Sequence, residues 1–164
     1  MSTKQIENSA TEIQVPDDVK VNLKGSMLHV QGPLGNAYKN FKKRDYAILH
    51  TARSIIRNIC EGLIEGYTIK MKVVFAHFPI TVKVDGKDII IENFQGERAP
   101  RKTIIVGNTK VIPKGEDVIL TGEVWTDITQ TAANIELKTK VKNKDHRVFL
   151  DGIYAFEKKK GIEK

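Results

Sequence analysis

The first ordered pattern in the chain is an alternation. Val19, Val21 and Leu23 share one parity, and after Lys24-Gly25-Ser26 the alternation resumes from Met27 or Leu28 to Val30. Apolar residues on every second position mark strands with one buried face, and the Gly-Ser step between them predicts a hairpin. "NAYKNF" and "YAILH" read as two further strands. The period then changes. In "TARSIIRNICEGLIEGY" the pairs Ile55/Ile56, Ile59/Cys60 and Leu63/Ile64 recur every four residues and Gly66 follows, which predicts an amphipathic helix opening at Thr51 and stopping at the glycine. "YTIKMKVVFAHF" returns to strand character.

After Pro79 the pattern begins again. "ITVKVDGKDIIIENFQG" lies on "VKVNLKGSMLHVQGPLG" at a constant offset of 61, which brings Val21 onto Val82, Leu23 onto Val84, Gly25 onto Gly86, Leu28 onto Ile89, Val30 onto Ile91 and Gly35 onto Gly96. Matching glycines and matching apolar positions argue for an internal duplication. Both halves continue with a basic strand, "NAYKNFKKR" or "ERAPRKTIIV", then another strand and a helix. The second helix is expected to start at Asp127, with Gln130 closing a capping box, and to bury Ile128, Ala132 and Ile135. Its larger offset requires an insertion, placed around "GNTKVIPKGED".

Strands followed by one helix, twice over, predict an α+β fold of two tandem similar domains, each an antiparallel sheet covered on one face by a helix. The expected division is a flexible leader over residues 1–14, a first domain over 15–78, a second over 79–158 and a basic tail over 159–164.

The chain has 164 residues, a net charge of +7 and an isoelectric point near 9.4. A cation surplus on so small a protein draws it to polyanions, nucleic acid first and an acidic membrane surface second. No stretch approaches the roughly 18 apolar residues of a spanning helix, and the N-terminus lacks an apolar signal core, so an intracellular, cytoplasmic protein is expected. The single cysteine, Cys60, lies among isoleucines and leucine and reads as a small buried hydrophobe.

Catalytic patterns are weak. His29, His50, His77 and His146 have no spacing that would place two imidazoles on one metal, and the glycine-rich and nucleophile-elbow motifs are missing. Asp145, His146 and Asp151 could be drawn as an acid/base group. Neighbours on a strand face opposite ways, however, so Asp145 and His146 are not expected to share a substrate. No metal, cofactor or small-molecule substrate is expected. "GPLG", Gly32 to Gly35, matches the bare GxxG of a KH loop but follows a strand and holds Pro33, which favours a turn.

The basic residues say more. Lys39, Lys42, Lys43 and Arg44 form one cluster, and Arg98, Arg101 and Lys102 a second. The densest runs from Lys138 through Lys140, Lys142, Lys144 and Arg147 to Lys158, Lys159 and Lys160. There the cations alternate with Phe149, Tyr154 and Phe156 and with Asn143 and Gly152. Cations for phosphates, planar groups for bases and glycine for close backbone approach are the inventory of RNA recognition.

"RVFLDGIY" followed by Lys158, preceded by Gln130 and "KTKVKNKD", resembles the C-terminal signature of the large-subunit ribosomal protein six family, in its archaeal and eukaryotic branch. "MKVVFAHFPI", "IENFQGERAPRK" and "VQGPLG" are similar to its other landmarks, in the same order, from about Val15 to Lys158. The resemblance implies two similar α+β domains and no enzymatic activity or cofactor. It implies a structural component of the large ribosomal subunit, bound to the large (23S-type) ribosomal RNA at the base of the lateral stalk near the factor-binding region, beside other ribosomal proteins. Carried over by position, the RNA contacts would be Lys138, Lys142, Lys144, Arg147, Phe149, Gly152, Tyr154 and Lys158, with Arg98, Arg101 and Lys102 as a secondary set. "KNFKKRDYAILHTARS" is closer in length to archaeal relatives. A free-standing RNA-binding module and a small nuclease built on His146 and Asp151 are the rival expectations.

Overall fold

The computed structural model describes residues 13–41, 49–145 and 147–162. The chain forms two compact units that divide between Glu65 and Gly66.

The first unit is a three-stranded antiparallel sheet with one helix. β1 (Lys20–Lys24) and β2 (Met27–Gly32) form the expected hairpin, and β3 (Gly35–Asn40) pairs with β2 across a tight Pro33-Leu34 turn. Gly25 adopts φ 62° at the first turn, a left-handed conformation that glycine enters without steric cost. α1 (Leu49–Ile64) packs on β2 and β3 and buries Ile59, Cys60 and Leu63 against Leu28, Val30 and Ala37. Burial raises the Cys60 thiol pKa, with Glu61 adding to the effect, so the cysteine is the small apolar residue expected. The "GPLG" turn docks on the end of this helix. Leu34 donates its backbone N–H to the Leu63 carbonyl at 3.0 Å, and a Cβ on Gly32 would lie 2.6 Å from the Leu63 Cβ, so close approach is what demands the glycine. α1 begins two residues before Thr51, so Leu49 and His50 of the expected "YAILH" strand are helical; Tyr46 to Ile48 lie outside the described residues.

The second unit holds two antiparallel sheets. One is β5 (Thr81–Asp85), β6 (Asp88–Glu92) and β7 (Arg101–Ile104). The other runs in the order β10 (Gly152–Lys160), β4 (Tyr67–Val74), β9 (Asp117–Gly122), β8 (Lys110–Lys114). α2 (Trp125–Lys138) packs on strands of both sheets. Ile89 and Ile91 of β6, Ile69 and Met71 of β4, Leu120 of β9 and Ile128 and Ile135 of α2 are fully buried in one apolar cluster. Burying such side chains contributes about 1.5–3 kcal/mol each, which makes this cluster the main source of the unit's stability. β4 was expected to end the first domain. Instead it is hydrogen-bonded between β9 and β10, because Tyr67, Ile69, Met71 and Val73 bury their shared face in this core.

The duplication extends to hydrogen-bond register. Val21 faces Val30 and Leu23 faces Leu28 in the first hairpin; Val82 faces Ile91 and Val84 faces Ile89 in the second, every position shifted by the same 61. On the third strand the offset becomes 64, since Lys39 faces Leu28 while Thr103 faces Ile89. The extra residues lie in the 3-10 turn Phe94–Gly96, whose Phe94 plugs the core. The insertion expected around "GNTKVIPKGED" builds β8.

Helix α2 departs from its expected start. Its N-cap is Val124, which makes no side-chain cap hydrogen bond, and Asp127 stands inside the first turn, where its charge favours the helix dipole. Gln130 donates to Asn134 Oδ1 rather than closing a capping box. Burial of Ile128, Ala132 and Ile135 is as expected.

Candidate nucleic-acid interface

The C-terminal end of α2 brings two basic sequence clusters together. Arg101, Lys102, Leu137, Lys138 and Lys142 line one open groove of about 280 Å³. Arg101 builds its wall. Its Nε and Nη2 donate to both carboxylate oxygens of Glu97, its Nη1 donates to the Lys138 carbonyl at 2.6 Å, and its guanidinium lies 4.1 Å from the centre of the Phe94 ring. The fork-to-carboxylate geometry holds the Glu97 carboxyl below its ordinary pKa. Arg101 therefore ties β7 to the last turn of α2 and satisfies a carbonyl that the helix end would leave unpaired.

Beyond α2 the chain crosses to β10 through a loop pinned at its base. Thr139, itself buried, donates its hydroxyl to the Ile135 carbonyl and accepts the Ile153 N–H at 3.2 Å. Between these anchors Asn143 takes a left-handed φ of 57°, and the Asp145 carbonyl accepts the N–H groups of Val148 and Phe149. Arg147 to Leu150, part of the "RVFLDGIY" stretch, are thus a turn and loop and not a strand. The Val148/Leu150 alternation arises in an exposed loop that pairs with no strand among the described residues. His146 lies outside the described residues.

Asp145 has another partner. Both its carboxylate oxygens accept from Arg147, whose side chain stays almost fully exposed and whose pKa is raised by that bond. Lys144 rests 4.6 Å from the centre of the Phe149 ring. Tyr154 folds back over Gly152, where a Cβ would meet its ring atoms at 2.7 Å, and donates its hydroxyl to the Leu150 and Asp151 carbonyls. Gly152 is buried in the β4–β10 ladder and makes room for that ring; it does not present open backbone. Asp151 is also engaged, accepting the Ala76 N–H at 2.8 Å and the Gln95 amide at 3.4 Å. Sequence alone assigned that carboxylate to a possible acid/base pair, and its clasp role depends on partners 56 and 75 residues away.

Lys158, Lys159 and Lys160 are strand residues, facing Ile69, Thr68 and Tyr67 after a bulge between Ala155 and Glu157. Lys159 and Lys70 both bind Glu157, whose pKa they lower, Lys159 contributing most. Lys72 is bound by Glu116 and Asp117, and Lys83 by Glu92. By contrast, among the described residues Arg98, Lys102, Lys138, Lys142, Lys144 and Lys158 are exposed and have no carboxylate partner. The exposed Leu137, unmarked by sequence reading, borders the same groove. Among the described residues no group of three or more His, Cys, Asp or Glu could hold a metal ion, and no helix is long and apolar enough to cross a membrane.

The protein-family model described as Ribosomal protein L6 matches residues 78–152, which span β5 through the start of β10. Similarity to curated relatives is wider. The large ribosomal subunit protein uL6 of Methanosphaera stadtmanae is 44% identical over 90% of this chain and 92% of its own length. The proteins of that name from Methanocella arvoryzae and Staphylothermus marinus are 41% and 40% identical over 90% and 89% of this chain and 96% and 92% of their own lengths. At that identity and coverage, with the duplicated α+β core in place, the chain belongs to the large ribosomal subunit protein uL6 family.

Proposed function

We propose that the chain is a structural, non-enzymatic constituent of the cytoplasmic large ribosomal subunit, where it binds the large ribosomal RNA near the base of the lateral stalk, close to the factor-binding region and beside other ribosomal proteins. One observation carries the RNA reading. Lys102, Lys138 and Lys142, which have no carboxylate partner among the described residues, line one groove at the end of α2 and Lys144 follows in the loop after it, while Lys70, Lys72, Lys83 and Lys159 are neutralised by Glu157, Glu116, Asp117 and Glu92. Unpaired lysines release counterions when they meet phosphates, which is the main source of affinity for nucleic acid.

In this reading Lys102, Lys138 and Lys142 contact phosphates across the groove, and Arg98 and Lys158 are further phosphate contacts. Lys144 and Arg147 carry the loop's charge, Phe149 and Tyr154 offer ring faces, Gly152 lets Tyr154 take its place, and Arg101 positions Lys138. Replacing Lys142, Lys144 and Arg147 with alanine is expected to weaken binding to the target rRNA fragment and to flatten its salt dependence by roughly one log-log unit for each phosphate left without its cation. Unchanged affinity and slope would overturn the assignment.

A further inference from the structure

We propose that the outer face of the first unit's sheet is a second RNA-binding surface, on which an unpaired base stacks against Tyr38.

Strand alternation and register define the face. Lys20, Asn22 and Lys24 of β1, Met27, His29 and Gln31 of β2, and Asn36, Tyr38 and Asn40 of β3 point away from α1, since Leu28, Val30 and Ala37 between them are buried beneath it. At the centre His29 and Tyr38 stand opposite one another, with ring centroids 4.4 Å apart and planes 3° from parallel. His29 occupies one face of the tyrosine ring. Tyr38 is nevertheless 66% exposed, so its other face is open. The imidazole Nε2 is covered and has no hydrogen-bond partner among the described residues, so packing and the stack hold the platform in place.

Charge selects the occupant. From Lys20 to Asn40 the sequence holds no aspartate or glutamate, and among the described residues Lys20 and Lys24 have no carboxylate partner. The duplicated sheet is the internal control. At the positions of His29 and Tyr38 it carries Ile90 and Lys102, its first two strands contain Asp85, Asp88 and Glu92, and Lys83 is bound to Glu92 at 2.7 Å. The same backbone thus carries a face of mixed charge once and a cationic, aromatic, amide-rich face once. An open ring for a base, lysines for flanking phosphates and Asn or Gln for base edges are the parts of a single-strand platform.

This inference rests on RNA as the partner, and the test separates the two surfaces. In the full chain carrying Lys142→Ala, Lys144→Ala and Arg147→Ala, penta-adenylate is titrated while the ring protons of His29 and Tyr38 are followed by NMR, with inorganic phosphate as the charge control. Penta-adenylate, not phosphate, is expected to shift both rings. Tyr38→Ala should weaken that binding about five- to hundredfold and Tyr38→Phe by less than about threefold, because the ring supplies the stacking. If Tyr38→Ala perturbs the fold, Lys20→Ala with Lys24→Ala gives the second reading, a lower affinity and a shallower salt slope. Ring signals that ignore the oligonucleotide, or equal affinity in the variants, would overturn the proposal, and the face would then be one that meets protein. Loss of rRNA binding in the triple variant is scored separately and stands or falls without Tyr38.

Discussion

Replacing Asp151 with alanine separates a structural carboxylate from a catalytic one. Asp151 sits where the loop enters β10 and accepts from the backbone of Ala76 and the side chain of Gln95, so it joins three segments of the second unit. A hydrogen bond to an ionised acceptor contributes about 1.5–3 kcal/mol when shielded. The Ala76 bond is exposed, and water can replace part of it, which reduces its share to about 1 kcal/mol. The 3.4 Å bond from Gln95 is long and adds roughly 0.5 kcal/mol. A total near 1.5 kcal/mol corresponds to a fall in Tm of roughly 6–12 °C for a unit of this size. The melt is followed by circular dichroism and by the fluorescence of Trp125, the chain's one tryptophan, which lies against Tyr67 in this unit. Asp151→Asn keeps an oxygen for Ala76 and should recover at least half of the loss. Alanine and parent melting within about 1 °C of each other would refute the clasp, and RNA turnover abolished in the alanine variant would restore the nuclease reading.

Arg101→Ala removes a carbonyl hydrogen bond, a cation–π contact and a bidentate ion pair, and about 2 kcal/mol of stability is expected to go with them, read from urea unfolding. Arg101→Lys should recover less than half, since an ammonium cannot span Glu97 and Lys138 with a planar fork. The Glu97 and Glu157 carboxyls lie below their ordinary value of 4.5 in the folded chain, so the stability they contribute is complete above that value and is lost as pH falls through their lowered pKa values. Urea midpoints should therefore be level down to about pH 5 and fall below about 4.5, and Glu97→Gln should flatten part of that fall; parallel curves would remove Glu97 from the account.

What was legible in the sequence follows the range of the forces involved. Both hairpins, the buried face of α1 and the buried residues of α2 arise from period and turn chemistry within a few residues, and each was visible. β4 was visible as a strand, but its allegiance was not, because Tyr67, Ile69, Met71 and Val73 are as apolar to one core as to another. The segment Arg147 to Leu150 alternates like a strand and becomes a turn because the Asp145 carbonyl captures two N–H groups before a ladder can form. At the candidate interface, residue type was legible and residue state was not. Lys158 and Lys159 are adjacent and alike in sequence, yet only Lys159 reaches Glu157.

That last distinction bears on how a duplicated domain diverges. The two hairpins keep one register and one buried set, Leu28 and Val30 against Ile89 and Ile91, so equivalent positions build the buried face of both copies. Their outer faces were free of that constraint. The second copy's face carries Asp85, Asp88 and Glu92 beside its lysines, with Lys83 bound to Glu92, while Lys102, Lys138 and Lys142 line the groove at the end of α2. In the first copy no acid entered at all from Lys20 to Asn40, and the aromatic pair remained in the open. A cross-strand ring pair stabilises its hairpin by about 0.2–1 kcal/mol, but the open ring face and the unpaired lysines beside it add nothing to that. Its presence on one copy alone, above a core shared by both, points to binding as what holds it there.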